Sequence, residues 1–126
     1  MIHVQSNPNP LNKRVGDCTV RAVALATDES WNDTYMQLCL KGYSMADMPS
    51  SNVVWGAYLK DKGFTRHTEC EDCYTVREFA RDHPEGIYVL GCGTHAVVVK
   101  DGNYFDSWDS GDENVIYYYE KGEAHE

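Results

Sequence analysis

Thr94-His-Ala-Val-Val-Val-Lys-Asp-Gly-Asn-Tyr-Phe-Asp106 is the stretch whose reading decides the fold. Asp101-Gly102 is a strong two-residue hairpin signal, because both positions tolerate positive φ. The β-branched run before it and Asn103-Tyr-Phe-Asp-Ser107 after it therefore pair as antiparallel strands. Ile87-Tyr-Val-Leu-Gly-Cys92 reads as a further strand, and Val115-Ile-Tyr-Tyr-Tyr119 as the last.

Upstream of position 87 the apolar spacing becomes helical. Residues 1–16 read as an irregular lead-in, broken by Pro8 and Pro10 and closed by Gly16. Asp17 is an N-cap for a helix from Cys18 carrying Val20, Ala24 and Leu25. After a turn at 27–30, Ser30 caps a second helix with Trp31, Tyr35, Leu38 and Cys39 on one face, ended by Gly42. Ser51 or Asn52 opens a third helix with Val54, Trp55, Tyr58 and Leu59, stopped at Gly63. Residues 64–74 are polar and hold a second cysteine group. Thr75-Val-Arg-Glu78 fits a capping box, so a short fourth helix with Phe79 and Ala80 runs to about His83. Helices first and an antiparallel sheet second is an α+β plan, in one domain spanning 1–126 with a frayed tail at 120–126.

A chain of 126 residues has room for one core. Apolar residues at 42% and charged residues at 25% exclude a disordered class. Twenty acidic against 11 basic residues, a formal net charge of −9, argue against a phosphate-tracking surface, so no nucleic-acid partner is expected. The same balance leans towards basic substrates or partners. No stretch approaches the roughly 20 apolar residues of a membrane helix. The first residues lack a basic and apolar leader pattern, so the expectation is the cytoplasm, where five cysteines are thiols before they are disulfides. No cofactor is expected.

Cys18 falls in the first turn of a helix, where the partial positive charge of the helix end stabilises a thiolate. A nucleophile needs a base. His95 opens an apolar strand after the flexible Gly91-Cys-Gly-Thr94, which leaves room beside it. With a two-residue turn, Lys100 pairs with Asn103, Val99 with Tyr104, Val97 with Asp106 and His95 with Trp108. His95 and Asp106 are then diagonal neighbours on one face, roughly 7 Å apart at Cα. A carboxylate there fixes the imidazole tautomer and stabilises imidazolium. Asp109 falls on the opposite face in this register. The backbone N–H of Cys18 is free at a helix start, and the Asn12 amide six residues upstream could add a second donor for an oxyanion. Taken one at a time, each residue also has a plain reading: a buried thiol, an edge histidine, a strand-ending aspartate, a polar loop residue.

Together, Gly16-Asp-Cys-Thr-Val-Arg-Ala22, Gly93-Thr-His-Ala-Val-Val-Val99 and Asp101-Gly-Asn-Tyr-Phe-Asp-Ser-Trp-Asp109 resemble the small phage and bacterial members of the papain-like cysteine peptidases, similar in outline to the C39-like peptidases. The resemblance covers roughly residues 10–119. It implies a helical half and a sheet half with the site in the cleft between them. Cys18 would be nucleophile, His95 base, Asp106 third member and Asn12 the oxyanion-hole amide, where the family usually has Gln. Thr19 stands where a bulky residue often follows the nucleophile. The implied activity is amide cleavage through a Cys18 thioester, as a peptidase or isopeptidase. An amidase or acyl transferase on the same triad, or a non-catalytic phage-type binding protein or inhibitor keeping the fold, are the alternatives.

His67-Thr-Glu-Cys70-Glu-Asp-Cys73 contains a lone CxxC. Zinc held by Cys70, Cys73 and His67, with Asp72 or a distant fourth ligand, and a reversible disulfide are weaker readings than two loop thiols, because a closed zinc site normally needs four ligands. Cys39 reads as core. Cys92 is close to His95 in sequence, but strand alternation turns it away. Trp31, Trp55 and the tyrosine run read as core and sheet-face residues, with at least one tyrosine exposed. The acidic run Asp106, Asp109, Asp112 and Glu113 reads as a solvated turn before a cation site.

Overall fold

The computed structural model describes residues 2–69 and 74–122. It is α+β: β1 (Ile2–Gln5), α1 (Cys18–Thr27), α2 (Trp31–Ser44), α3 (Asn52–Asp61), β2 (Phe64–Thr68), α4 (Val76–Asp82), β3 (Ile87–Gly91), β4 (Ala96–Lys100), β5 (Asn103–Asp106) and β6 (Tyr117–Lys121). The strands form one sheet in the order β1-β5-β4-β3-β6-β2.

The hairpin is the one expected. Asp101 and Gly102 take φ of 50° and 82°, and the ladder pairs Lys100 with Asn103, Val99 with Tyr104 and Val98 with Phe105. Two expectations need correction. β1 lies within the supposedly irregular lead-in and pairs in parallel with β5, so the sheet is mixed and not purely antiparallel. β2 lies in the polar segment after α3 and pairs antiparallel with β6. β6 itself reaches Lys121, so the regular structure extends into the supposed tail.

Both faces of the sheet are covered, which explains the uninterrupted apolar run of β4. Val89, Ala96, Val98 and Tyr119 pack with α1–α3 residues such as Val23, Leu38, Trp55 and Leu59. Tyr88, Leu90, Val97 and Val99 pack with Val76, Phe79 and Ala80 of α4 on the other side. The tyrosine run alternates as a strand must, Tyr117 and Tyr119 towards α1–α3 and Tyr118 towards α4. With both faces covered, none of the three is exposed.

The helix ends follow local chemistry. Ser30 and Ser51 accept backbone N–H bonds from Asp33 and Val53, and Thr75 with Glu78 forms the expected capping box. Gly42 does not end α2. It lies buried inside the helix, where a Cβ would come within 2.7 Å of the Asp47 carbonyl oxygen. The buried face of α2 is accordingly Thr34, Leu38 and Gly42, while Tyr35 is exposed and Cys39 half-buried.

Phe79 is fully buried and packs against the rings of Tyr74, Tyr88 and Tyr118. Phe79→Ala is expected to cost about 3–5 kcal/mol in urea unfolding if α4 is integral to the core. A loss below about 1 kcal/mol, the scale of a surface change, would show that α4 is a dispensable flap.

Candidate active site

The ends of β4 and β5 meet the start of α1. Asp106 closes β5, only 3% exposed, and its carboxylate is fully engaged. Oδ2 lies 2.5 Å from His95 Nε2 and accepts from Ser110 Oγ at 2.6 Å. Oδ1 accepts from the Ser107 N–H at 2.8 Å and from Arg21 Nη2 at 3.2 Å. Its backbone carbonyl is held by the Ser6 N–H at 2.9 Å and by His3 Nε2 at 3.1 Å, so β1 fixes the strand end that carries the carboxylate.

Arg21, one turn into α1, is buried and also pairs with Asp17. Asp17 was expected to cap the helix, but its side chain makes no cap bond. Its carboxylate instead takes Arg21, the Trp31 indole N–H at 2.9 Å and the Asn9 amide at 3.4 Å. An ion pair Asp17–Arg21–Asp106 therefore ties the head of α1 to the sheet. The first-turn N–H groups of α1 are left unclaimed by Asp17, which leaves the Cys18 N–H available to an oxyanion.

Cys18 sits at the first position of α1, half-buried, and lines the same two depressions as His95. Nε2 of His95 is committed to Asp106, so Nδ1 is the nitrogen left for the sulfur. Burial opposes charge on both groups. For Cys18 it is outweighed by the His95 hydrogen bond, the Ala96 N–H, the imidazolium charge and Thr19, which hold the thiol below its ordinary 9.0. For His95 it is outweighed by hydrogen bonds and attraction from Asp106 and Cys18, which push the imidazole up to about 9. Burial likewise opposes ionisation of Asp106, but His95, Ser110 and Ser107 hold it below the ordinary carboxylate value. Both shifts run in the direction that favours thiolate beside imidazolium.

The sulfur faces a cavity of about 220 Å³ bounded by Gly16, Thr19, Ser50, Asn52, Trp55 and the 93–96 turn. A second depression on the other side of Cys18 and His95 is bounded by Arg14, Arg21, Ser107 and Trp108. The half-exposed Trp108 ring lies 5.0 Å from the imidazole and covers one face of it.

Thus Cys18, His95 and Asp106 converge. Asn12 does not join them. It is exposed, at a positive φ of 54°, with its side-chain oxygen taken by Asn7, and it lines neither cavity. The amide drawn into the buried network is Asn9. Cys92 lies in the cluster on the α4 side of the sheet, and burial pushes its thiol up to about 12, so it is inert. His67 is 3.1 Å from Glu120 and stacks on Tyr118. Cys70, Cys73 and Asp72 lie outside the described residues, and among the described residues no cluster of three metal-ligating side chains occurs. Asp109 and Asp112 pair with Arg77, which accounts for part of the acidic run.

Arg21, Ser110 and Trp108 are site residues that the sequence reading did not single out. Asp17 and Arg21 at i,i+4 beside a candidate nucleophile were the available signal. Ser110 carried none.

No family model, curated protein or solved structure matches the chain. Among the described residues no helix is long and apolar enough to cross a membrane.

The geometry predicts a pH profile. The thiol is held below its ordinary value, so iodoacetamide alkylation of Cys18, followed by mass spectrometry across pH, should show a midpoint below that of an unperturbed thiol. His95→Ala removes the partner, and the midpoint should rise towards 9.0, the ordinary value. A midpoint unchanged by His95→Ala would refute the pairing.

Proposed function

We propose that this chain is a small papain-like cysteine hydrolase, a peptidase or isopeptidase that acts in the cytoplasm on a peptide or protein substrate. The observation that carries this reading is that Cys18 and His95 line one cavity, with His95 Nε2 2.5 Å from the Asp106 carboxylate behind it.

The thiolate attacks the substrate carbonyl carbon, and the new oxyanion is met by the Cys18 N–H at the helix head. The His95 imidazolium passes its proton to the leaving nitrogen as the C–N bond breaks, leaving a Cys18 thioester. Neutral imidazole then takes a proton from water, the hydroxide adds to the thioester, and the C–S bond breaks to release acid and thiolate. Asp106 keeps Nδ1 aimed at the sulfur and stabilises the imidazolium; it stays ionised throughout. An amidase or acyl transferase would use the same first half and differ in substrate or acceptor. The non-catalytic reading draws on one observation: the Asn12 amide is turned towards Asn7 and adds nothing to the oxyanion hole.

Peptide-based and ubiquitin-like electrophilic probes, read by mass spectrometry of the intact protein, test the proposal. One adduct is expected, on Cys18. It should vanish in Cys18→Ala and form at least about a hundredfold more slowly in His95→Ala. Labelling that survives Cys18→Ala undiminished would overturn the nucleophile assignment.

A further inference from the structure

The cavity at Cys18 does not end at Trp55. Asn52, at the first position of α3, lines it and also lines a neighbouring groove of about 380 Å³. That groove runs along one stripe of α3, with Asn52, Gly56 and Lys60 at i, i+4 and i+8. Its far wall is Arg66 of β2, and its floor is Tyr117 and Tyr119 of β6. Position 56 must lack a side chain for Tyr119 to form that floor: a Cβ there would lie 2.2 Å from the Tyr119 hydroxyl.

The charge of this groove is opposite to that of the protein. The chain carries a formal net charge of −9, yet no Asp or Glu lines the groove while Lys60 and Arg66 do. Neither cation has an ion-pair partner among the described residues, in contrast to Lys41, Lys62, Arg77 and Arg81, which each do. Arg66 is instead laid over the Tyr117 ring, 4.6 Å from its centroid, with one N–H on Thr68. That stacking, with Tyr119 beside it, holds the guanidinium plane in place at the groove, where its fork can meet a carboxylate. At a Debye length of about 8 Å, distant acidic residues are screened, so the two cations decide what this groove attracts.

We infer that the groove is a specificity subsite that takes a carboxylate of the substrate, most simply an Asp or Glu side chain. The inference rests on the hydrolase reading of Cys18. It reverses, for this part of the surface, the leaning towards basic substrates drawn from net charge. Eight helical residues from Asn52 to Lys60 span about 12 Å. An extended peptide covers about 3.3 Å per residue, so the groove alone takes three to four residues beyond Asn52, and the carboxylate lies further than that from the bond that Cys18 attacks.

The test uses an epoxysuccinyl core bearing a hexa-alanine arm on each side. Thiolate opening of the epoxide needs no turnover: a C–S bond forms, a C–O bond breaks, and the imidazolium proton goes to the alkoxide. In one set of probes each arm position is replaced in turn by Glu, Gln or Lys with the arm end amidated. In a second set an all-alanine arm ends as a free carboxylate or an amide. Second-order labelling rates at Cys18 are read by mass spectrometry.

Glu at one of the outer positions of one arm, from the fourth onward, should react roughly tenfold faster than Gln there, about 1.4 kcal/mol, and Lys more slowly still. The Glu advantage should disappear in Lys60→Gln/Arg66→Gln. Iodoacetamide labelling of that variant, and its melting curve, should match the parent. A gain confined to the free arm end would assign the groove to a terminal carboxylate and overturn the side-chain assignment. Equal rates for Glu and Gln at every position, with iodoacetamide labelling of Cys18 intact, would overturn the subsite. Failure of iodoacetamide to label Cys18 would instead bring down the hydrolase reading, and the subsite with it.

Discussion

A carboxylate that is almost fully removed from water must be surrounded by donors, and Asp106 is the point to which the rest of this structure is anchored. Its two oxygens take four donors from three places: His95 before β4, Arg21 on α1, and Ser107 and Ser110 on the turn after β5. Its carbonyl takes two more contacts from β1 and the residue just after it. Asp17 and Asp106 share one guanidinium, which leaves one negative charge uncompensated. A protonated His95 supplies the missing positive charge. The imidazole is raised by Asp106 and by Cys18 together, and the thiol is lowered by the imidazole in return. Removing one member of such a buried network leaves the others unpaired, which costs far more than the pair's net contribution.

This network also explains why α1 sits where it does. Its small residues Ala22 and Ala26 allow the helix to lie close over β4, where Ala96 and Val98 face it. Close packing puts Cys18 at the end of β4, beside the imidazole, and not above the middle of the sheet. The cover on the opposite face, built by α4, makes β4 rigid from both sides. His95 thus leads into a strand that cannot shift register without moving Val97 and Val99 out of one cluster and Val98 out of the other.

Much of this was legible because it is local. The Asp101-Gly102 turn fixes a register by itself, and register alone brings His95 to Asp106. Ser51 and the Thr75–Glu78 box mark helix starts through bonds made within three residues. What was missed is non-local. Ile2-His-Val-Gln5 is four residues long and pairs in parallel with a strand a hundred residues later, so no periodicity announces it. Phe64-Thr-Arg-His-Thr68 buries only its first residue fully, as an edge strand can, and reads as a polar loop. Gly42 has the chemistry of a helix stop, but contact with the following loop makes it a spacer. Arg21 drew no reading of its own, because its second carboxylate comes from the sheet, 85 residues away. Asn12 fitted a spacing, and the left-handed turn at that position sends its side chain elsewhere.

The central claim is that His95 is an imidazolium held between a carboxylate and a thiolate. Nitrogen-edited NMR of the His95 ring across pH 5 to about 10.5, in the parent chain and in Cys18→Ala, measures this most directly, since an unperturbed imidazole titrates near 6.5 and a thiol near 8.5. The account predicts that the parent ring stays doubly protonated until about pH 9 and that its midpoint falls once the sulfur is removed. A ring that titrates near 6.5 in both proteins would contradict it.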